Sequence, residues 1–339
     1  MSPIPATSPT PPCAELHLHL EGTLEVPMVL ELADRNGIRL PTPDEDALRR
    51  RYAFTDLASF LALYYENTAV LRTAADFAAL TGAYLRRASE AGVLHAEVMF
   101  DPQAHVARGV PLGAVVEGVA AALEEGGREF GISTGLFAAF LRDRPATEAH
   151  AVLDELLALD APITGVGLDS AELGYPPSLF ADVFARARAL GLHRIAHAGE
   201  EGPAGYIVGA LDLLHAERID HGIRCLEDPA LVARLAAERI PLTVCPLSNV
   251  RLHAVPELAA HPLPGMLAQG LNVSVNSDDP AYFGGYVDDN FRAVAAQFSL
   301  GAAELARLAL NSVESSFVPA ERSRELAGAV EAWRAAQGQ

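Results

Sequence analysis

Short apolar runs recur along the chain, each closing on polar or ionisable side chains. They fall at residues 14–20, 93–100, 132–141, 163–168, 192–196, 218–220, 241–244 and 271–275. Runs this short, bounded by polar residues, predict buried strands. Most are followed by apolar residues at helical spacing, which predicts helices over residues 178–190, 204–214, 229–238 and 256–269. Strand alternating with helix implies a parallel sheet. An open doubly wound sheet shares that pattern, but eight strand positions favour closure. The predicted fold is therefore α/β, a single (β/α)8 TIM barrel.

Two stretches exceed what a bare barrel needs. Residues 27–91 lie between the first two strand positions and carry helical patterns at 56–68 and 74–91. An insertion there belongs above the C-terminal barrel face, where lids sit. After the last strand, residues 287–297, 302–310 and 320–336 read as extra C-terminal helices. No repeat or interdomain linker interrupts the pattern, so residues 13–339 are expected to form one domain. Residues 1–12 are rich in Pro, Ser and Thr and uncharged. They lack the basic start and apolar centre of a signal peptide and are expected to be a disordered leader.

Composition narrows the partners. Half of the 339 residues are hydrophobic, enough for a full core, yet no apolar run is long enough to span a bilayer. A formal net charge of −19 repels phosphate backbones and anionic lipid, so neither nucleic acid nor membrane is expected as a partner. Cys13, Cys225 and Cys245 are isolated, without a Cys-x-x-Cys pair. They argue against a disulfide framework or thiolate zinc site and for a reducing compartment, the cytoplasm by default. Oligomeric state stays open, a homo-oligomer included.

The candidate chemistry sits where the apolar runs end. His17 and His19 are two apart on a strand, so both imidazoles point to one face, the barrel interior. A hydrogen-bonded core pair is the plain alternative, but four imidazole nitrogens are hard to satisfy there. Further strand ends deliver His197 and Glu200, then His221, then Asp278 and Asp279. In a parallel barrel these ends converge on one rim, where barrel enzymes place their chemistry. Three histidines and one aspartate suit zinc, with iron or manganese as competitors. Glu200 and His221 are then left to move protons. Cys245-Pro-Leu-Ser-Asn249 reads as structural, its Ser248 and Asn249 bonding loop backbone. His105 and His261 lie off the pattern and are assigned surface or packing roles.

Ala14-Glu-Leu-His-Leu-His-Leu-Glu-Gly-Thr23, His197-Ala-Gly-Glu200, Arg218-Ile-Asp-His-Gly222, Cys245-Pro-Leu-Ser-Asn249 and Ser277-Asp-Asp-Pro280 follow in one order. In that order they resemble the adenosine deaminase superfamily, most of all its bacterial and fungal adenine deaminase branch. The likeness runs from about Ala14 to Phe317. Tyr52-Ala-Phe-Thr-Asp-Leu57, Phe100-Asp-Pro-Gln103, Gly167-Leu-Asp-Ser-Ala-Glu172 and Tyr282-Phe-Gly-Gly-Tyr286 support it.

The resemblance implies one zinc ion per chain on His17, His19, His197 and Asp278. It implies Glu200 at purine N1, His221 at the attacking water and Asp279 at N7. The implied reaction is hydrolysis of adenine to hypoxanthine and ammonia, a purine-salvage step. Zinc lowers the pKa of water from 15.7 to roughly 7. A protonated Glu200 supplies N1, and His221 either accepts the water's proton or orients it.

Substrate choice is the finer question. The adenosine-specific branch carries a glycine near N3 and an aspartate after the His-x-His pair. Glu172 and Glu21 stand at those positions here. The expectation is that Glu172 accepts the N9 or N3 proton of the free base, with Glu21 and Ser170 also facing the substrate. The alternative turns Glu172 outward onto a lid arginine. Rival substrates are adenosine, N6-substituted adenines and 6-aminodeoxyfutalosine, the last needing a basic residue such as Arg72, Arg108 or Arg142. A two-metal hydrolase is demoted because no lysine stands at the relevant strand ends. A non-catalytic purine-binding protein is demoted because no catalytic position is missing.

Overall fold

The structure, a computed structural model, describes residues 8–338. Eight parallel strands follow one another around a barrel in sequence order. They are β1 (Cys13–His19), β2 (Val93–Phe100), β3 (Ser133–Leu141), β4 (Gly165–Asp169), β5 (His193–Ala198), β6 (Arg218–His221), β7 (Pro241–Val244) and β8 (Asn272–Val275). Both faces of most strands are buried, so polar strand residues such as His95, Glu97 and Ser274 are enclosed along with the apolar ones. Gly165 illustrates the packing demand, since a Cβ there would stand 2.4 Å from the Phe137 ring.

The seam between β8 and β1 closes without a regular ladder. Asp278 N–H donates to His17 O and His19 N–H donates to Asp278 O, both at 3.0 Å. Asn276 Oδ1 accepts from the backbone N–H of Leu16 at 2.8 Å and of His17 at 3.3 Å. Asp278 takes a left-handed φ of 66° to make this bridge. The residue that shuts the barrel thus has its carboxyl beside both β1 imidazoles.

Deep in the barrel, Arg218 donates to Glu97 Oε2 at 2.6 Å and to Leu16 O at 3.0 Å, with both side chains fully buried. Burial opposes ionisation of Glu97, but the guanidinium, His95 and the Phe317 N–H outweigh it and hold its carboxyl down at about 2. This layer is a packed floor beneath the strand ends.

The long insertion does sit over the C-terminal face. Its Leu57–Asn67 helix starts at a reciprocal cap between Asp56 and Ser59 and roofs the strand ends with Leu57, Phe60, Leu61, Tyr64 and Tyr65. Tyr52 stacks on Tyr282 at 4.8 Å, and Asn67 donates to both phenol oxygens, tying the roof to the loop after β8. The three C-terminal helices are Val287–Phe298, Ala302–Glu314 and Ala320–Gln337.

Two expectations need correction. Residues 256–269 do not form one helix. A 3₁₀ turn at Leu258–Ala260 and a helix at Leu263–Ala268 are separated by His261 and Pro262, because proline cannot donate into a continuing helix. Nor are residues 8–12 loose: Trp333 Nε1 donates to Ser8 O at 2.9 Å, and Thr10, Pro11 and Pro12 are buried. The remainder of that segment, residues 1–7, lies outside the described residues.

Candidate active site

His17 and His19 do share one face, and the ends of β5 and β8 bring His197 and Asp278 to them. His19 Nε2 and His197 Nε2 stand 3.1 Å apart. Asp278 Oδ1 lies 3.3 Å from His17 Nε2 and 3.6 Å from His19 Nε2. The opposite ring nitrogens bear on what this centre could hold. His17 Nδ1 is 3.2 Å from Thr243 O, His19 Nδ1 faces Asp169 Oδ2 at 3.5 Å, and His197 Nδ1 faces Asp220 Oδ2 at 3.5 Å. The Thr243 carbonyl holds a proton on His17 Nδ1, and carboxylate oxygens at 3.5 Å face the other two Nδ1 atoms, which favours the same tautomer and leaves the Nε2 atoms as lone pairs on the side of Asp278. Lone pairs and a carboxylate converging in a buried site repel one another unless a cation sits between them. Donors 2.0–2.1 Å from a tetrahedral ion stand roughly 3.3 Å apart, the spacing seen here. His17 Nε2 is buried without a hydrogen-bond partner, as a ligand nitrogen would be.

Contacts behind these side chains fix their positions. Thr243 Oγ1 donates to Asp220 Oδ1 at 2.7 Å, and Arg142 Nη1 donates to the carbonyl of His197 at 2.7 Å. Burial disfavours charge on Asp278, but His17, His221 and His19 outweigh it and hold its carboxyl well below the usual range. Burial, then the neighbouring imidazoles, push His197 far down.

Glu200 and His221 flank the cluster, with His221 Nε2 at 3.6 Å from Glu200 Oε2 and 3.8 Å from Asp278 Oδ2. His221 and Ser170 both adopt left-handed backbone, φ 63° and 70°, a conformation that accumulates where function constrains the chain. Burial drives Glu200 well above the carboxylate range, helped by Asp278 and Glu172, so it favours the protonated acid. Asp279 is raised by burial and then by Asp278. One oxygen of each, Glu200 Oε1 and Asp279 Oδ1, is buried with no partner.

These groups line a tight cavity of about 30 Å³ beneath the roof helix. His19, His197, Glu200, His221, Asp278, Asp279 and Ser170 face it, as do Asp101 and Asp169. Asp101 and Asp169 were missed in the sequence, although each directly follows or ends a strand like the others. Burial, then Glu21, raises Asp101 to about 8, and burial with Asp101 raises Asp169, so a proton shared by the two carboxyls is favoured. Tyr64 donates to Asp101 Oδ2 at 3.2 Å.

Two predicted substrate contacts are placed elsewhere. Glu172 is buried, but it neither lines the cavity nor pairs with a lid arginine. Its Oε1 accepts from Gly199 N–H at 2.7 Å, while Oε2 accepts from Glu200, Glu201 and Gly202 at 3.1, 2.9 and 2.7 Å. The loop amides saturate it, so it braces Glu200 from behind. Glu21 accepts from Asp101 N–H at 3.1 Å and His105 Nε2 at 2.5 Å, which makes His105 a fully buried support. Asn249 differs from expectation too, bonding the side chains of His221 and His261 instead of loop backbone. The candidate cations for a substrate carboxylate bond within the protein, Arg108 to His105 and Thr68, Arg142 to His197 and Tyr175, and Arg72 to Arg108 O, although Arg142 Nη2 and Arg108 Nε are buried without a partner.

Comparison with known proteins agrees with this geometry. The adenosine deaminase family model matches residues 12–333. An adenine deaminase of Streptomyces coelicolor is 58% identical over 95% of this chain and 96% of its own length. One from Cupriavidus necator is 52% identical over 94% and 91%. The crystal structure of adenine deaminase from Arthrobacter aurescens superposes with a TM-score of 0.95 at 61% identity, covering 95% of this chain and 99% of that one. An amidohydrolase from Burkholderia ambifaria with bound Zn gives a TM-score of 0.89 at 28% identity, over 96% and 91%.

Proposed function

The chain belongs to the adenosine deaminase family, and we propose that it hydrolyses adenine to hypoxanthine and ammonia with one zinc ion. The observation carrying this reading is that His19 Nε2 stands 3.1 Å from His197 Nε2 and 3.6 Å from Asp278 Oδ1, with His17 Nε2 at 3.3 Å from the same oxygen, beside a small cavity lined by Glu200 and Asp279. His17, His19, His197 and Asp278 would hold the ion; the donor set fits zinc, and the Burkholderia relative has Zn bound. When bound, the metal supplies an acidified water at neutral pH, its pKa brought toward roughly 7.

The remaining steps belong to side chains. Attack at C6 puts negative charge on N1, and a protonated Glu200 delivers its proton there. That proton stays on N1 in hypoxanthine. Of the water's two protons, one leaves with the amine as ammonia and the other restores Glu200. Asp279 holds N7 through a proton carried by either partner, and His221 works on the oxygen that attacks. The roof helix excludes bulk water, which strengthens each of these interactions.

Asp101, Asp169 and Ser170 are the polar groups left for the N3 and N9 edge once Glu200 and Asp279 are used. Free adenine offers an N–H to this edge, whereas a nucleoside brings a ribose. That favours the base, as do relatives named for adenine. No arginine lines the cavity to pair with a substrate carboxylate, which counts against 6-aminodeoxyfutalosine. Three free buried cysteines fit a cytoplasmic enzyme. Ammonia release from adenine, N6-methyladenine, adenosine and 6-aminodeoxyfutalosine tests the reading. Adenine is expected to be turned over far faster than the rest, and a Glu200→Gln variant should keep its metal while losing nearly all turnover. Comparable rates on adenosine, or an active Glu200→Gln enzyme, would refute it.

A further inference from the structure

A chain of hydrogen bonds with one possible direction runs from a backbone amide to His221. It begins at Leu263, the first residue of its helix, whose N–H lies 3.1 Å from His261 Nδ1. A backbone N–H can only donate, so that ring nitrogen is a lone pair. Burial pushes His261 down to about 4 and keeps it neutral, which leaves its proton on Nε2. His261 Nε2 lies 3.2 Å from Asn249 Oδ1 and donates to it. The Asn249 amide nitrogen then faces His221 Nδ1 at 3.3 Å. Because an NH₂ group also only donates, His221 Nδ1 accepts. All three side chains are buried, at 3%, 0% and 1% exposure for His261, Asn249 and His221, so water does not compete.

We infer that Asn249 and His261 are positioning residues that lock His221 in the tautomer protonated at Nε2. The far side of the ring agrees, because Nε2 looks toward the Asp278 carboxylate, whose Oδ2 lies at 3.8 Å. This is the opposite tautomer from His17, His19 and His197, whose Nδ1 atoms face oxygens and whose Nε2 atoms are lone pairs. The contrast has two consequences. His221 lies close enough to His17, His197 and Asp278 to be a fourth nitrogen at the centre, yet its nearest nitrogen carries a proton and cannot ligate. And His221 meets the attacking oxygen as a hydrogen-bond donor, which selects orientation over proton removal among the two roles open to it. This second consequence rests on the deamination reading above; the tautomer does not.

The test uses metal-loaded protein labelled with ¹⁵N-histidine, with His221→Gln identifying the His221 ring signals by subtraction. The expected result is a protonated Nε2 and bare Nδ1 at His221 without any substrate. Asn249→Asp offers His221 a carboxylate oxygen instead of an NH₂, so the proton should move to Nδ1. In that variant kcat for adenine should fall by roughly 10²-fold while KM changes by less than about threefold. His261→Gln keeps a donor to Asn249 and should retain most activity, whereas His261→Leu should not. A wild-type His221 protonated at Nδ1 overturns the assignment, as does Asn249→Asp with unchanged kcat or His261→Leu matching His261→Gln. A protein that shows the Nε2 proton but does not deaminate adenine keeps the tautomer and sinks the proposed reaction instead.

Discussion

Replacing Glu172 with Gln separates a brace from a substrate contact. The carboxylate takes four successive backbone N–H groups of the loop that carries Glu200, at 2.7–3.1 Å. Glutamine keeps the shape but supplies one oxygen. If that oxygen serves the three donors at Oε2, its NH₂ confronts the Gly199 N–H, donor against donor. One buried amide left unsatisfied costs about 1–3 kcal/mol, and the other bonds lose the charge that strengthens them, for a total near ~3–5 kcal/mol. With an unfolding entropy of roughly 2.1 cal/mol/K per residue over 339 residues, that lowers Tm by about 4–7 °C. The loop would relax, and a displacement near 1 Å at Glu200 costs roughly 10²-fold in kcat. Calorimetry and ammonia release on adenine and adenosine measure both effects, and the ratio between the two substrates should be preserved. Wild-type Tm with a selective loss of adenine affinity would refute the brace and restore Glu172 as the group that reads the purine.

Gly22 packs against the Asp279 main chain, and a Cβ there would stand 2.6 Å from Asp279 Cα and 2.1 Å from Oδ1. Gly22→Ala should therefore push Asp279 aside and lower kcat by roughly 10²-fold while metal content is kept, and normal turnover would contradict the packing. Arg218→Met leaves Glu97 buried without its cation and should destabilise the barrel by about 3–5 kcal/mol in denaturant titrations. Glu97 titrates at about 2 when folded, below its ordinary 4.5, so its pairing stabilises the wild type above that ordinary value. The contribution drains away as pH falls toward 2, and the variant should lack this acid limb. An unchanged acid limb in the variant would show that the pair is not its source.

What the sequence revealed follows from the kind of order each feature has. Parallel strands buried on both faces leave short, mostly apolar runs, so β2 and β7 are legible to the residue. Ionisable residues closing such runs stand out, which is why His17, His19, His197, Glu200, His221, Asp278 and Asp279 were found together. Asp101 and Asp169 obey the same rule and were readable had it been applied at β2 and β4. The directions of Glu172 and Glu21 were not, because their partners are N–H groups and a histidine brought near only by the finished fold. Alignment with a glycine position put Glu172 at the purine, while the left-handed turn at Ser170 precedes a side chain that reaches the 199–202 amides. Asn249 and His261 were passed over for a related reason. Their direction depends on a helix that starts at Leu263, and reading 256–269 as continuous erased that start.

The central claim is that one divalent ion on His17, His19, His197 and Asp278 makes the water reactive. The direct measurement strips the purified protein with a chelator and follows ammonia release from adenine as zinc is titrated back. Activity should vanish in the stripped protein and return in proportion to bound zinc, levelling at one equivalent per chain, with the fold intact throughout by circular dichroism. Full turnover by metal-free protein, or recovery that bears no relation to bound zinc, would contradict the account.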